Sequence, residues 1–278
     1  MIHSRRRNAA GTAYRTGQNP LLGGLLLALL SAGSGQAAKA VVPAPEPPPL
    51  PAATDARGLY DALDAESRAR VDGEQRVVTF AEQRREAPDR VEMLAVSIGM
   101  LRLSPASVIS LLEKISGYPA WLLLQPSYKR ARIQGSSRLI ADVGSADSPK
   151  AKRTMSYDVS SKGAITTWLV ADSGTALQPG SFVSFEVIPH PTIEGASLVV
   201  HRQFGILPLS GRMTKYLADD DDKGQNHWWK DASRHARRIH WAFDAAIRFP
   251  PGNDRSSLYV EHHQREFNGK APYWVSTR

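Results

Sequence analysis

Residues 91–122, VEMLAVSIGMLRLSPASVISLLEKISGYPAWL, constrain the fold more than any other stretch of the chain. They predict one strand, one capped helix and one turn in immediate succession. In an extended chain Leu94, Val96, Ile98 and Met100 fall on one side, and Val91, Met93, Ala95 and Gly99 on the other, so both faces of the strand are expected to be covered. Ser104 is placed to accept hydrogen bonds from the free amides of the next turn. Pro105 suits the first helical position because it has no amide to lose. Val108, Leu111, Leu112 and Ile115 recur at spacings of three and four, the mark of a buried helical stripe, and Gly117 is expected to supply a left-handed stop. Tyr118, Pro119 and Trp121 follow at once.

The first 40 residues read as an export signal rather than as part of the fold. Arg5, Arg6, Arg7 and Arg15 form a basic leader, Leu21 to Leu30 an apolar core of about ten residues, and Ala38-Lys39-Ala40 a small-x-small cleavage site. The core is shorter than the roughly 20 residues of a membrane span. Cleavage would deliver the protein to the periplasm or cell envelope, and an uncleaved signal anchor is the alternative. Ser4-Arg5-Arg6 invites a twin-arginine reading, but Asn8-Ala9 stands where that motif needs an apolar pair.

This reading changes the meaning of the charge. Five of the 35 basic residues and none of the 27 acidic ones lie in the first 40 positions, so the remainder carries 30 basic against 27 acidic residues, a net +3 instead of +8. The excess that would suggest nucleic acid is largely targeting, and nucleic acid is set aside as a partner. The chain has no cysteine, which removes disulfides, thiolate catalysis and cysteine-ligated metals.

Residues 41–56 are read as a proline-rich tether, VVPAPEPPPLPAA followed by a short junction, and residues 57–278 as the folded part. LYDALDAESRAR, over 59–70, predicts a short helix with Leu59 and Leu63 on one side, broken by Gly73 before an extended segment at Val77, Val78 and Phe80. After Trp121 the pattern predicts strands at 127–134, 138–143, 151–159, 164–171, 181–188 and 196–206. Turns are expected at Gly135, Gly144, Gly163, Pro179-Gly180, Pro189 to Pro191 and Gly195. Such spacing suits an antiparallel meander.

Further on, Ile239, Trp241, Phe243, Ala245, Ile247 and Phe249 alternate with His240, Asp244 and Arg248, which predicts a long half-buried strand. Residues 257–267 predict a last strand. The stretch 210–235 does not fit the meander and reads as an insertion or long loop.

Motifs that carry chemistry are sparse. Asp219 to Asp222 with Lys223 lack the glycine and distal glutamate of a calcium loop, and read as a solvated charged turn. The histidines at 227, 235, 240, 262 and 263 show no metal-binding spacing on a convincing helix. There is no nucleophile elbow and no glycine-rich phosphate loop, so no cofactor, metal or catalytic residue is assigned. Two basic clusters, Lys129, Arg130, Arg132, Arg138 and Arg234, Arg237, Arg238, could rest on an anionic membrane surface, although solvent-facing arginines are the commoner reading. Aromatic residues at 121, 157, 168, 228, 229, 241, 243 and 274 could line an apolar cavity, while aromatic residues in general pack a core.

The strand 91–103, then Ser104-Pro105-Ala106-Ser107-Val108, Leu111-Leu112 and Gly117-Tyr118-Pro119-Ala120-Trp121, resemble the opening of START-like, polyketide cyclase-like domains. Leu63-Asp64-Ala65-Glu66 and Gly73-Glu74 before Val77-Val78 are similar to the lead-in of exported members. Gly269-Lys270-Ala271-Pro272-Tyr273-Trp274-Val275 resembles the passage that precedes their long C-terminal helix, and with the chain ending at Arg278 that helix is expected to be missing, truncated or replaced by part of 210–235.

The resemblance implies an α+β fold, a curved antiparallel β-sheet wrapped around helices in the helix-grip manner. It also implies an apolar pocket receiving a hydrophobic small molecule or lipid. The expected lining is Trp121, Trp168, Trp241 and Phe243, with Arg202 or His240 as polar anchors. A cyclase or dehydratase on the same fold would instead use His201, His240 or Asp244 as acid or base. An envelope interaction module is the third reading, with the aromatic residues as ordinary core.

Overall fold

The computed structural model of the protein describes residues 55–73, 77–87, 89–125, 127–145, 148–172, 177–208, 221–249 and 253–267. The export signal, nearly all of the tether and the 269–275 passage lie outside the described residues. Two short helices open the fold, α1 (Ala56–Asp61) and α2 (Ala65–Asp72), followed by strands β1 (Val77–Ala87) and β2 (Arg90–Leu101). Next come α3 (Pro105–Glu113), a 3-10 turn over Ile115–Gly117 and α4 (Tyr118–Leu122). Six strands follow: β3 (Tyr128–Gln134), β4 (Arg138–Ser145), β5 (Ser148–Lys162), β6 (Ile165–Asp172), β7 (Phe182–Pro189) and β8 (Ser197–Pro208). Two helices close the described chain, α5 (Asp221–Arg248) and α6 (Asp254–Phe267).

All eight strands form a single antiparallel sheet in the order β1-β2-β8-β7-β6-β5-β4-β3. The six-strand meander is the one expected from sequence, and β8 returns to pair with β2 along its whole length. The α+β architecture is therefore the expected one: a curved antiparallel sheet with helices against it. Gly135 and Gly163 sit in left-handed turns, at φ 65° and 57°, where a side chain would be strained.

Strand β2 shows why the sheet forms a middle layer. Val91, Met93 and Ala95 join one core, on the face that carries α3, α4 and α5. Val96, Ile98 and Met100 join another, packed with Leu59 and Tyr60 of α1 and Val71 of α2. Covering both faces explains the unbroken apolar run, and each fully buried side chain contributes roughly 1.5–3 kcal/mol. The capping of α3 is as read: Ser104 Oγ accepts from the Ser107 amide at 3.2 Å, and Pro105 opens the helix.

Several expectations are corrected. The predicted strand at 239–249 is helical, within α5, and the predicted last strand at 257–267 is helix α6. Residues 221–235 of the supposed insertion form the first half of α5, so Asp221, Asp222 and Lys223 of the expected charged turn lie in its first turn, while Asp219 and Asp220 lie outside the described residues. Of the three expectations for the gripping helix, replacement by part of 210–235 is the one that holds: α5, 28 residues long and taking in 221–235, lies against β1 and β2 and reaches α3 and α4. The helix expected over 59–70 is two helices, because Asp64 caps a new one by accepting from the Ser67 amide at 2.6 Å. Gly117 is not left-handed (φ −84°), since the chain turns through it directly into α4. Gly144 lies inside β4 rather than at a turn.

Candidate functional site

The candidate site lies where α5 crosses the inner face of the sheet. Ala232, Ile239, Ala242 and Phe243 share the inner core with the sheet, at the three- and four-residue spacings of one helical face. Phe243 meets Trp121 of α4 and Phe185 of β7, with ring centroids 5.1 and 5.6 Å apart. Trp121 lies 5.8 Å from Trp168 of β6, which also contacts Tyr118, Tyr157 and Phe185. Edge-on and tilted contacts of this kind each add about 0.5–1.5 kcal/mol beyond burial. The result is a continuous aromatic wall contributed by α4, β5, β6, β7 and α5.

Beside that wall sits a polar cluster. The His201 ring stacks on Phe185 at 4.9 Å. His201 and Gln203 are two residues apart on β8 and therefore share the inner face. Gln203 Nε2 lies 3.0 Å from His201 Nδ1 and 3.0 Å from His235 Nδ1 of α5. His235 Nε2 in turn approaches the Tyr128 hydroxyl at 3.5 Å. Tyr128 belongs to the edge strand β3, five places along the sheet from β8. The sheet must curl strongly for one histidine to meet both.

Burial sets the charge state of this cluster. It lowers the His235 pKa to about 3 and the His240 pKa to about 4, and drives His201 well below the ordinary imidazole value, reinforced there by His235, His240 and Arg202. All three are neutral at pH 7. Burial likewise raises the Tyr128 and Tyr157 hydroxyls far above their ordinary values. Unpaired polar atoms accompany this neutrality: both ring nitrogens of His240, Gln203 Oε1 and Trp121 Nε1 are buried without a hydrogen-bond partner among the described residues. His240 and Trp121 are 0 % and 1 % exposed, and Gln203 2 %.

Of the residues singled out from sequence, Trp121, Trp168 and Phe243 come together, and His240 is buried on the same helix as Phe243. Trp241 is not with them. Because α5 is a helix, Trp241 points about 200° from Phe243 and packs with Ala245 and with Val260 of α6. Arg202 is on the outer face of the sheet, where Nη2 donates to Glu186 Oε2 at 2.7 Å. It cannot anchor a ligand on the inner face. Of the acid–base candidates, Asp244 turns towards α6 and accepts from Arg248 at 2.7 Å and from the Tyr259 hydroxyl.

His235, Gln203, Tyr128 and Phe185 were not singled out as site residues from sequence. The i, i+2 spacing of His201 and Gln203 on a strand was the available signal for one pair. Nothing local could pair Tyr128 with His235, 107 residues away. Among the described residues no group of three or more ligating side chains could hold a metal ion, and no helix is long and apolar enough to cross a membrane.

No family model and no curated protein matches the chain. Solved structures do. A START superfamily protein from Mycobacterium smegmatis is 17% identical over 52% of this chain and 95% of its own, with a TM-score of 0.34. A protein from Thermus thermophilus is 8% identical over 54% and 97%, at 0.42. An aromatase/cyclase from a Streptomyces species is 10% identical over 65% and 99%, at 0.37. The helix-grip assignment itself stands on the strand order and on the position of α5.

Proposed function

We propose that the protein binds a small amphipathic molecule, mostly apolar, between α5 and the inner face of the sheet. The observation that supports this is the set of unpaired polar atoms, on Trp121 of the aromatic wall, on Gln203 beside it and on His240 of the same helix as Phe243. Buried polar groups are nearly always paired, and each one left unmade costs about 1–3 kcal/mol. A binding site resolves that cost, because a ligand supplies the missing partners while its apolar body replaces water against the rings.

The test is solvent extraction and native mass spectrometry of the protein purified from its own host, followed by tryptophan quenching with the recovered compound. A stoichiometric organic ligand that quenches Trp121 or Trp168 is the expected result. A protein that carries nothing and is not quenched by any apolar compound across a lipid and aromatic panel overturns the reading.

We also propose that the chain acts outside the cytoplasm. The leader, apolar core and Ala38-Lys39-Ala40 site support this, and cell fractionation with N-terminal sequencing of the mature protein tests it. An unprocessed protein found wholly in the cytoplasmic fraction removes export. Lys129, Arg130 and Arg132 are carried by the edge strand β3, all three exposed, which suits a peripheral contact with anionic lipid once the protein reaches the envelope.

A further inference from the structure

Beyond the core that α1 and α2 share with the outer face of the sheet, that face carries a second apolar feature. Strand register alone builds it as a row: Leu169 of β6 stands opposite Phe182 of β7, Phe182 opposite Phe204 of β8, and Phe204 opposite Leu94 of β2. Directly opposed side chains on one face touch, and the two phenyl rings lie 5.5 Å apart. Leu94 borders the outer core. Leu169 is 44 % exposed, Phe182 and Phe204 are half-buried, and Ile165, four places before Leu169 and so on the same face of β6, is 47 % exposed.

The row is narrow, and the charges around it are already used. On the side of α1 its neighbours are Thr167, Ser184 and Arg202. At its two ends the opposed residues are Asp158 of β5 and Glu82 of β1. Asp158 is paired with Arg138 at 2.9 Å, Arg202 with Glu186 at 2.7 Å, and Glu82 with Arg84. Paired cations are poor anchors for an anionic bilayer, and four side chains fall far short of the roughly 800 Å² per partner of a stable protein interface. A line one residue wide suits a single extended segment.

The chain supplies such a segment beside the row. Residues 41–53, VVPAPEPPPLPAA, hold six prolines and one charge, and favour the polyproline conformation that packs on aromatic rings. They lead into α1, whose first amide, that of Ala56, donates to Glu186 Oε1 at 3.2 Å. The fold is therefore entered at β7, on the same face as Phe182 and four residues from it, about 14 Å along the strand. The row itself spans three strand spacings, again about 14 Å. At about 3.1 Å per residue roughly nine polyproline residues cover both distances, and the stretch is long enough.

We propose that residues 41–53 dock on the row of Leu169, Phe182, Phe204 and Leu94, proline rings against the two phenyl rings, so that the proline-rich stretch is a clamp on the outer face rather than a free spacer. The docking is independent of any ligand on the inner face.

The test uses the protein as its host makes it. Because the chain has no cysteine, Leu50→Cys introduces a single thiol to carry a benzophenone maleimide, and the adducts formed on illumination are mapped by mass spectrometry. The expected result is an adduct within one chain on Leu169, Phe182, Phe204 or Leu94. Phe182→Thr combined with Phe204→Thr is expected to abolish it. So is the combination of Pro47→Ser, Pro48→Ser and Pro49→Ser, which leaves the folded part untouched and decides the matter should the phenylalanine variant fail to fold. Adducts scattered over the surface, or none, overturn the proposal, as does an adduct on the row that survives either set of changes. Adducts joining two copies would give the row to a second chain, and adducts to phosphatidylglycerol when vesicles of that lipid are added would give it to a bilayer; either result overturns the proposal too.

Discussion

The two faces of the sheet are both closed by helices, yet their polar side chains are treated differently. On the outer face, His190 is buried between partners on every side. Its Nδ1 accepts from the Ile193 amide at 3.0 Å, so the proton sits on Nε2 and is donated to Asp72 Oδ1, also at 3.0 Å. Asp72 accepts from the Tyr60 hydroxyl as well, at 3.0 Å. A second outer group follows the same rule: Glu186 accepts from Arg202 with one oxygen and from the Ala56 amide with the other. Together these tie α1 and α2 to β7, β8 and the loop between them. On the inner face Thr79 and Ser97 satisfy one another at 2.8 Å, but His240 and Gln203 Oε1 stay open. Pairing of this kind fastens a layer, whereas the unpaired buried groups beside the aromatic wall carry a desolvation cost that the outer face avoids.

Acid gives the largest expected break in this contrast. His235, with a folded value of about 3, His240, at about 4, and His201, well below 6.5, bind protons more readily unfolded than folded. Their contribution is therefore complete above the unfolded value near 6.5 and is lost as pH falls from there through about 4 and 3. At pH 5 His235 and His240 are each expected to cost about 2 kcal/mol relative to pH 7.5, and His201 adds to the loss in the same direction. Urea denaturation at the two pH values measures the sum, and His240→Phe should remove its share of the difference. A stability independent of pH over this range would mean that the inner histidines are hydrated.

Trp168→Ala comes next. The side chain is fully buried and touches four other rings, so a loss of about 3–5 kcal/mol is expected on urea denaturation. If the inner face can open for a ligand, the cost should lie at the low end, and an added apolar compound should recover part of it.

How much of this was legible in sequence follows from periodicity. The strands of the meander were readable because Trp168, Val170, Val183, Phe185 and Val187 recur at every second position along their strands. Helix α5 was not, for a physical reason. It is sandwiched between the sheet and α6, so apolar residues serve two opposite faces: Ile239 and Phe243 inward, Trp241 and Ala245 outward. Two residues advance a helix by about 200°, close to the 180° of a strand, and a doubly covered helix imitates a strand over 239–249. The inward spacing His235, Ile239, Ala242, Phe243, Ala246 carried the helical reading all along. Asn253, whose carbonyl accepts from the Ser256 amide at 3.0 Å and whose Oδ1 accepts from the Arg255 amide at 2.9 Å, marked the start of α6. The aromatic half of the site was visible as residue types. Its polar half depended on sheet curvature, which no local pattern encodes.

The outer fastening supplies the finest test of the comparison. Asp72→Asn keeps the shape of the side chain but removes the charge that receives both the Tyr60 hydroxyl and the His190 Nε2 proton. An amide oxygen can still accept one of them, so the expected loss is about 1–2 kcal/mol, less than deletion of the whole group. Removing the cap of α1 should cost still less. Asp55 Oδ1 accepts from the Gly58 amide at 2.7 Å on an exposed helix end, and Asp55→Ala is expected to cost about 1 kcal/mol. Because these groups lie across the sheet from the aromatic wall, neither substitution should alter the quenching of Trp121 and Trp168 by an apolar compound. If Asp72→Asn changed that quenching, the two faces would be coupled through β8, and the division between a fastening outer face and an inner face with unpaired groups would have to be abandoned.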